Sequence, residues 1–248
     1  SDPANFIVVE DLTNFKVKQT YINGVLVAAA GESYIPFVKE ETINQFNAKH
    51  ITETTIQVTP HEYPSNEAGH IPVIEAIDGQ LITNCLWMQA KIQDHKIVSD
   101  TTTDVLKMVV YNRYFDAPPK IAFIKNFGFQ HGAIASTVAH DSHNIISIGV
   151  DDARIKEAIN LVIEQKGGIS CVNNQQQKVL GLPVAGLMSA EEPYMVAQAY
   201  TEIDQMAKGL GSALGSPFMT LSFMALLVIP HLKLSDKGLF DGDEFKLF

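Results

Sequence analysis

Over the first thirty positions apolar and β-branched residues come in short runs separated by turn residues. Phe6-Ile7-Val8-Val9, Phe15-Lys16-Val17 and Gln19-Thr20-Tyr21-Ile22 predict strands, and the last leads through Asn23-Gly24 into a further strand, Val25 to Ala29. Asn-Gly between apolar runs is hairpin chemistry, because both residues accept the positive φ of a two-residue turn. These strands begin almost at the first residue with no preceding partner. The expectation is that the small sheet lacks strands encoded upstream and that the chain starts mid-protein.

From about Glu40 to Gly69 the chain is polar, which predicts a connector with one strand, Thr54 to Val58, and a domain boundary. We divide the chain at residues 1–50 and 51–248. A second strand-rich block follows: Ile71 to Ile77, a turn at Asp78-Gly79, Gln80 to Thr83, Val105 to Tyr111, and Ile121 to Ile124. From Ile145 the period changes. Ile145 to Val150 reads as a buried strand, and Asp151-Asp152 then caps a helix with Ile155, Ile159, Val162 and Ile163 on one face. Gly167-Gly168 stops that helix, Ile169 to Val172 completes a strand-helix-strand unit, and Val179 to Leu182 pairs back. A second helix starts between Ser189 and Pro193 and runs to about Leu210, with Val196, Tyr200, Ile203, Met206 and Leu210 inward. The predicted class is α+β, a mixed β-sheet with packed helices.

Composition narrows the functions. A formal net charge of −10 surrounds the molecule with a negative field that repels phosphate backbones, so nucleic acid is not an expected partner. The only cysteines, Cys85 and Cys171, lie far apart and suggest neither a disulfide framework nor a thiolate zinc site, which fits a reducing cytoplasm. The longest apolar run, Phe218 to Pro230, falls short of the roughly 20 residues a spanning helix needs and reads as buried core, so no membrane is expected either.

The densest polar constellation is His140-Asp141-Ser142-His143-Asn144, between the small-residue stretch Gly132 to Ala139 and a buried strand. In a helical stretch His140 and His143 share a face at i, i+3 and converge on a metal or substrate. In an extended stretch His140 and Ser142 face one way and Asp141 and His143 the other, which forbids a local Ser-His-Asp triad. The bland reading is that Asp and Asn cap a turn and the histidines satisfy nearby backbone. Position favours function, because side chains at a loop feeding a central strand are where ligand contacts gather.

Elsewhere the signals are weak. Phe127-Gly128-Phe129 with Gly132 lacks the spacing of a dinucleotide fingerprint, and the glycines from Gly209 to Gly215 read as a helix exit. The His-x-Glu and Pro-Cys-x-x-Cys pair of the small zinc deaminases does not occur. His50, His61 and His70 have no ligand spacing and read as solvated. Trp87 and Met88 read as core or interface. Arg113, at a strand end, reads as an anion ligand or, more commonly, half of an ion pair.

Two parts of the chain carry a resemblance. Ala4 to Leu12, followed by Val17 and Thr20 to Val27, resembles the closing strands of the β-sandwich in amidohydrolase enzymes, with Asn5 where that family usually has Asp. The stretches Asp104 to Arg113, Gly128 to Asn144 and Ser216 to Phe223 resemble the distinctive extra domain of bacterial adenine deaminases. The resemblance implies hydrolysis of adenine to hypoxanthine and ammonia, in purine salvage, by a hydroxide activated on iron or manganese. It places the metal ligands in a catalytic barrel upstream of Ser1, since the His-x-His pair that opens such a site is absent here. The chain alone is therefore expected to hold no metal and to leave adenine untouched. Ser136, His140, Asp141, Ser142, His143 and Asn144 become candidates for substrate contact or for closing the barrel mouth. A homo-oligomer is expected, and an assembly module burying Phe218 to Ile229 and the Trp87 region is the alternative. An independent metal hydrolase centred on His140 is a third reading, disfavoured by its single ligand cluster.

Overall fold

A computed structural model describes residues 2–38 and 41–248. Ser1, Lys39 and Glu40 lie outside the described residues, Glu40 being where the polar connector was expected to begin. Contacts divide the chain into two compact units, Ser1–Glu40 and Glu41–Phe248.

The first unit is an antiparallel sheet of four strands in chain order: β1 (Phe6–Val9), β2 (Val17–Ile22), β3 (Val25–Ala29) and β4 (Glu32–Ser33). Asn23 and Gly24 both take positive φ, 51° and 76°, as the predicted turn requires. Phe6 stacks on Tyr21 across the β1–β2 pair with ring centroids 4.5 Å apart.

The second unit is α+β. Its centre is an eight-stranded sheet built from β5 (His70–Ala76), β6 (Thr83–Gln89), β9 (Val105–Tyr111), β10 (Lys120–Lys125), β11 (Ala133–Ser136), β12 (Ile145–Gly149), β13 (Gly168–Val172) and β14 (Gln177–Gly181). The spatial order is β14-β13-β11-β12-β9-β10-β5-β6, and only the β10–β5 pair is parallel. β7 (Lys91–Gln93) and β8 (Lys96–Val98) form a separate hairpin. The described residues close no barrel.

The two faces of the sheet carry different covers. Helix α1 (Asp152–Glu164) packs its stripe of Ile155, Ala158, Ile159 and Val162 over Val109 and Tyr111 of β9 and Ala133 and Ala135 of β11. Alanine at those positions lets the helix backbone come close. Asp151 caps α1 by accepting from the Arg154 N–H at 2.8 Å, as its position predicted. On the opposite face Met108, Val110, Ile134, Ile146 and Cys171 meet α2 (Pro193–Gly209), α3 (Pro217–Phe223) and the β15 (Leu232–Ser235) and β16 (Gly238–Asp241) hairpin, which β17 (Lys246–Leu247) extends. Period-2 alternation along β9 and β11 thus feeds two cores.

Two sequence expectations need correction, and a third, the buried-core reading of Phe218 to Pro230, holds for most of the run. Thr54 to Val58 is not a strand: Glu53–Ile56 is a 3-10 turn whose cap is the Thr52 and Thr55 side chains, and only Ile56 within it is buried. Gln80 to Thr83 is largely turn, and the strand that pairs with β5 is β6, further along. Most of the Phe218 to Ile229 run serves this chain's own core through Phe218, Leu221 and Met224, leaving only Met219 and Val228 strongly exposed among its large apolar side chains. No helix among the described residues is long and apolar enough to cross a membrane.

Candidate functional site

The polar cluster sits on the eight-residue connection between β11 and β12. Its start is pinned by Thr137, whose N–H donates to the Gly168 carbonyl at 2.9 Å and whose hydroxyl donates to the Gly186 carbonyl at 2.6 Å. Ser136, at the end of β11, accepts from the Val138 N–H at 2.9 Å and turns the chain. The connection then closes in a single turn, the His143 N–H reaching the Ala139 carbonyl at 2.7 Å with His143 at φ 52°. The stretch is thus neither a helix nor a strand. One turn still brings His140 and His143 together, with rings in an edge-to-face contact at 5.4 Å.

The other face of His140 stacks on Phe223 of α3, centroids 4.9 Å apart and planes 22° apart, while its backbone N–H donates to the Ser222 carbonyl at 3.0 Å. His140 is held by one element on each side. His143 is half-buried. Burial first, then His140 and Arg113, hold its imidazole below the usual range, and Asp141 opposes them. Its Nδ1 is enclosed and has no hydrogen-bond partner among the described residues. At neutral pH the ring is therefore neutral, able to donate from one nitrogen and accept at the other.

Asn144 and Ser142 serve the loop. Asn144 is buried, accepts from the Arg113 backbone N–H at 3.2 Å and donates to the Ser142 hydroxyl at 3.3 Å. Asp141 and Ser142 are exposed. Ser136 lines a cavity on the α2 side of the sheet, away from the histidine rings.

The sequence reading singled out Arg113 but missed that it holds this loop. Arg113 is 4% exposed, and among the described residues no carboxylate pairs with it. Its guanidinium donates to the Asn44 side chain at 3.1 Å, the Tyr114 hydroxyl at 2.8 Å and the Ala185 carbonyl at 2.7 Å. It also lies 4.4 Å from the Tyr114 ring centroid. Tyr114 in turn donates to the Ser142 carbonyl at 2.9 Å. A Cβ on Gly186 would stand 2.4 Å from the guanidinium, which explains glycine there. The signal available was the Asn112-Arg113-Tyr114 run at a strand end, but its partners lie far away in sequence.

Among the described residues no group of three or more His, Cys, Asp or Glu is placed to hold a metal ion. The residues present do not fit an iron or manganese site. The loop can stack on, hydrogen-bond to and cover a small polar molecule.

A family model described as the adenine deaminase C-terminal domain matches residues 80–246. Curated proteins named adenine deaminase are similar over nearly the whole chain. One from Sulfurovum sp. is 47% identical over 98% of this chain and 43% of its own length. Others from Salinibacter ruber and Methanosarcina mazei are 46% and 45% identical over 99% of the chain. The chain spans less than half the length of these relatives.

Proposed function

The chain belongs to the adenine deaminase C-terminal domain family, and from that premise we propose that it is the carboxy-terminal part of an enzyme hydrolysing adenine to hypoxanthine and ammonia. The longer protein would act in purine salvage in the cytoplasm, as a homo-oligomer. Its iron or manganese would be held by residues outside those described, in a catalytic barrel. The role of this chain is to present the His140–His143 loop to the adenine site as a cover.

The observation that carries this reading is the histidine pair itself. Two imidazoles stand edge to face on an exposed turn, one clamped on Phe223 and the other kept neutral by burial. The neutral His143 imidazole can hydrogen-bond to a purine edge without adding net charge, and Asp141 and Ser142 add an acceptor and a hydroxyl beside it.

The division of labour is tested by assaying the pure 248-residue chain for hypoxanthine, with manganese(II) or iron(II) supplied, beside the longer protein. Turnover by the longer protein only is expected. Metal-dependent hypoxanthine formation by this chain alone would refute the division.

A second reading, an assembly module, draws on Trp87, which is 43% exposed and in edge contact with Phe248. Light scattering before and after Trp87→Glu separates it: a fall in mass with that substitution supports assembly through this surface.

A further inference from the structure

On the side of the sheet opposite α1, beneath the exposed amino-terminal half of α2, lies a cavity of about 710 Å3. That is within the roughly 300–1,000 Å3 of small-molecule sites. One wall is sheet and the segment after it, with Ile169, Leu180 and Leu182. The facing walls are Val196 and Ala197 of α2 and Phe218 of α3. Such opposed apolar faces suit a flat, carbon-rich body.

The few polar groups in the lining restrict the chemistry further. The hydroxyls of Thr201 and Ser222 are spent on the Ala197 and Met219 carbonyls, at 2.8 Å each. Ser136 differs. Its side chain lines the cavity and is 1% exposed, and it accepts from the Val138 N–H, yet among the described residues its hydroxyl proton has no acceptor. An acceptor on a ligand would pair that donor. Glu191, an exposed residue, also lines the cavity, its carboxylate has no cationic partner among the described residues, and no Lys, Arg or His lines the space with it. Anions are repelled and a cation or N–H donor is drawn in.

We infer that this cavity binds a planar heteroaromatic amine of two or three fused rings. The apolar walls take the ring faces, Ser136 donates to a ring acceptor, and Glu191 receives the amino or protonated group. The site is separate from the histidine face but shares α3 with it, because the Ser222 whose carbonyl receives the His140 N–H also lines the cavity.

The test is a fluorescence titration of the 248-residue chain with 9-aminoacridine, a fused-ring amine with a ring nitrogen, against the anionic dye 1-anilinonaphthalene-8-sulfonate. Saturable one-to-one binding of the amine is expected, with the anion weaker by about tenfold or more. Ala197→Trp fills the space from an exposed helix position and weakens the amine by about tenfold or more, while Glu191→Gln weakens it several-fold. Thermal melts of both variants establish that they fold. No saturable binding, an Ala197→Trp affinity equal to the wild type, or anion binding as tight as the amine and equally sensitive to Ala197→Trp each overturns the proposal.

Discussion

The Tyr114 hydroxyl donates to the Ser142 carbonyl at 2.9 Å. The same oxygen accepts from the Arg113 guanidinium at 2.8 Å, so a buried cation restrains the histidine loop through one phenol. Tyr114→Phe keeps the ring over the guanidinium and removes both bonds. A loss of about 1 kcal/mol is expected, with faster amide hydrogen exchange at His143 and Asn144 than in the wild type. Unchanged exchange there would show that the loop holds itself.

Arg113 reaches three separate segments with a planar fork, which an ammonium group cannot copy. Arg113→Lys is expected to lose nearly as much as Arg113→Met, about 2–4 kcal/mol in either case, because the Ala185 carbonyl and Asn44 lose their donors. Chemical denaturation measures both. A lysine variant within experimental error of the wild type would show that charge alone matters at this position.

His143 makes stability depend on pH in a defined direction. Its folded pKa lies below the imidazole reference, so the unfolded chain binds the proton more readily. Above about 6.5 both states are neutral and the group contributes no slope. As pH falls through the window between the unfolded and folded values, the native state loses stability. His143→Gln should lessen the fall in melting temperature as the pH drops below about 6.5. A ring-proton titration by NMR with a midpoint above the reference would contradict the sign.

Lys233 supplies the alkaline counterpart. It is fully buried, its Nζ donates to the Leu81 and Phe223 carbonyls, and burial pushes its pKa down to about 8. Below that value the fold carries a buried charge that the unfolded chain would hold in water. As pH rises from about 8 towards 10.5 the native state sheds the proton first, and this lysine then disfavours folding less. The stability of the wild type relative to Lys233→Met should therefore climb across that window, by an amount on the order of 3 kcal/mol. A flat difference would mean the ammonium is not penalised.

Much of the sheet was legible because its strands declare themselves locally. Val105 to Tyr111 was read with its observed ends, since all seven residues are buried and most are β-branched or long apolar chains. β11 was not read as a strand. Ala133-Ile134-Ala135-Ser136 has weak strand propensity, and its small residues are explained only by α1 lying over them. The β15–β17 hairpins were missed as well: Leu232–Ser235 alternates apolar and polar residues over only four positions, and all four, Lys233 among them, are buried. Around Thr52 the β-branched threonines suggested a strand, whereas their hydroxyls make a local cap that wins over propensity.

At the site, the five consecutive polar residues stood out at once and the structure gathers His140 with His143. What sequence could not supply was support from afar. Phe223 lies on a different helix from the loop it stacks against, and Arg113 ties segments from Asn44 to Ala185. Such contacts leave no periodic trace.

The central claim is that His140 and His143 serve the adenine reaction of the longer protein. Steady-state adenine deamination by that protein, comparing wild type with His140→Ala and His143→Ala, tests it most directly. The account predicts a fall in kcat/KM of about tenfold or more for each variant, with melting temperatures within about 2 °C of the wild type. Variants that fold equally well and turn over adenine with kcat/KM within about twofold of the wild type would contradict it.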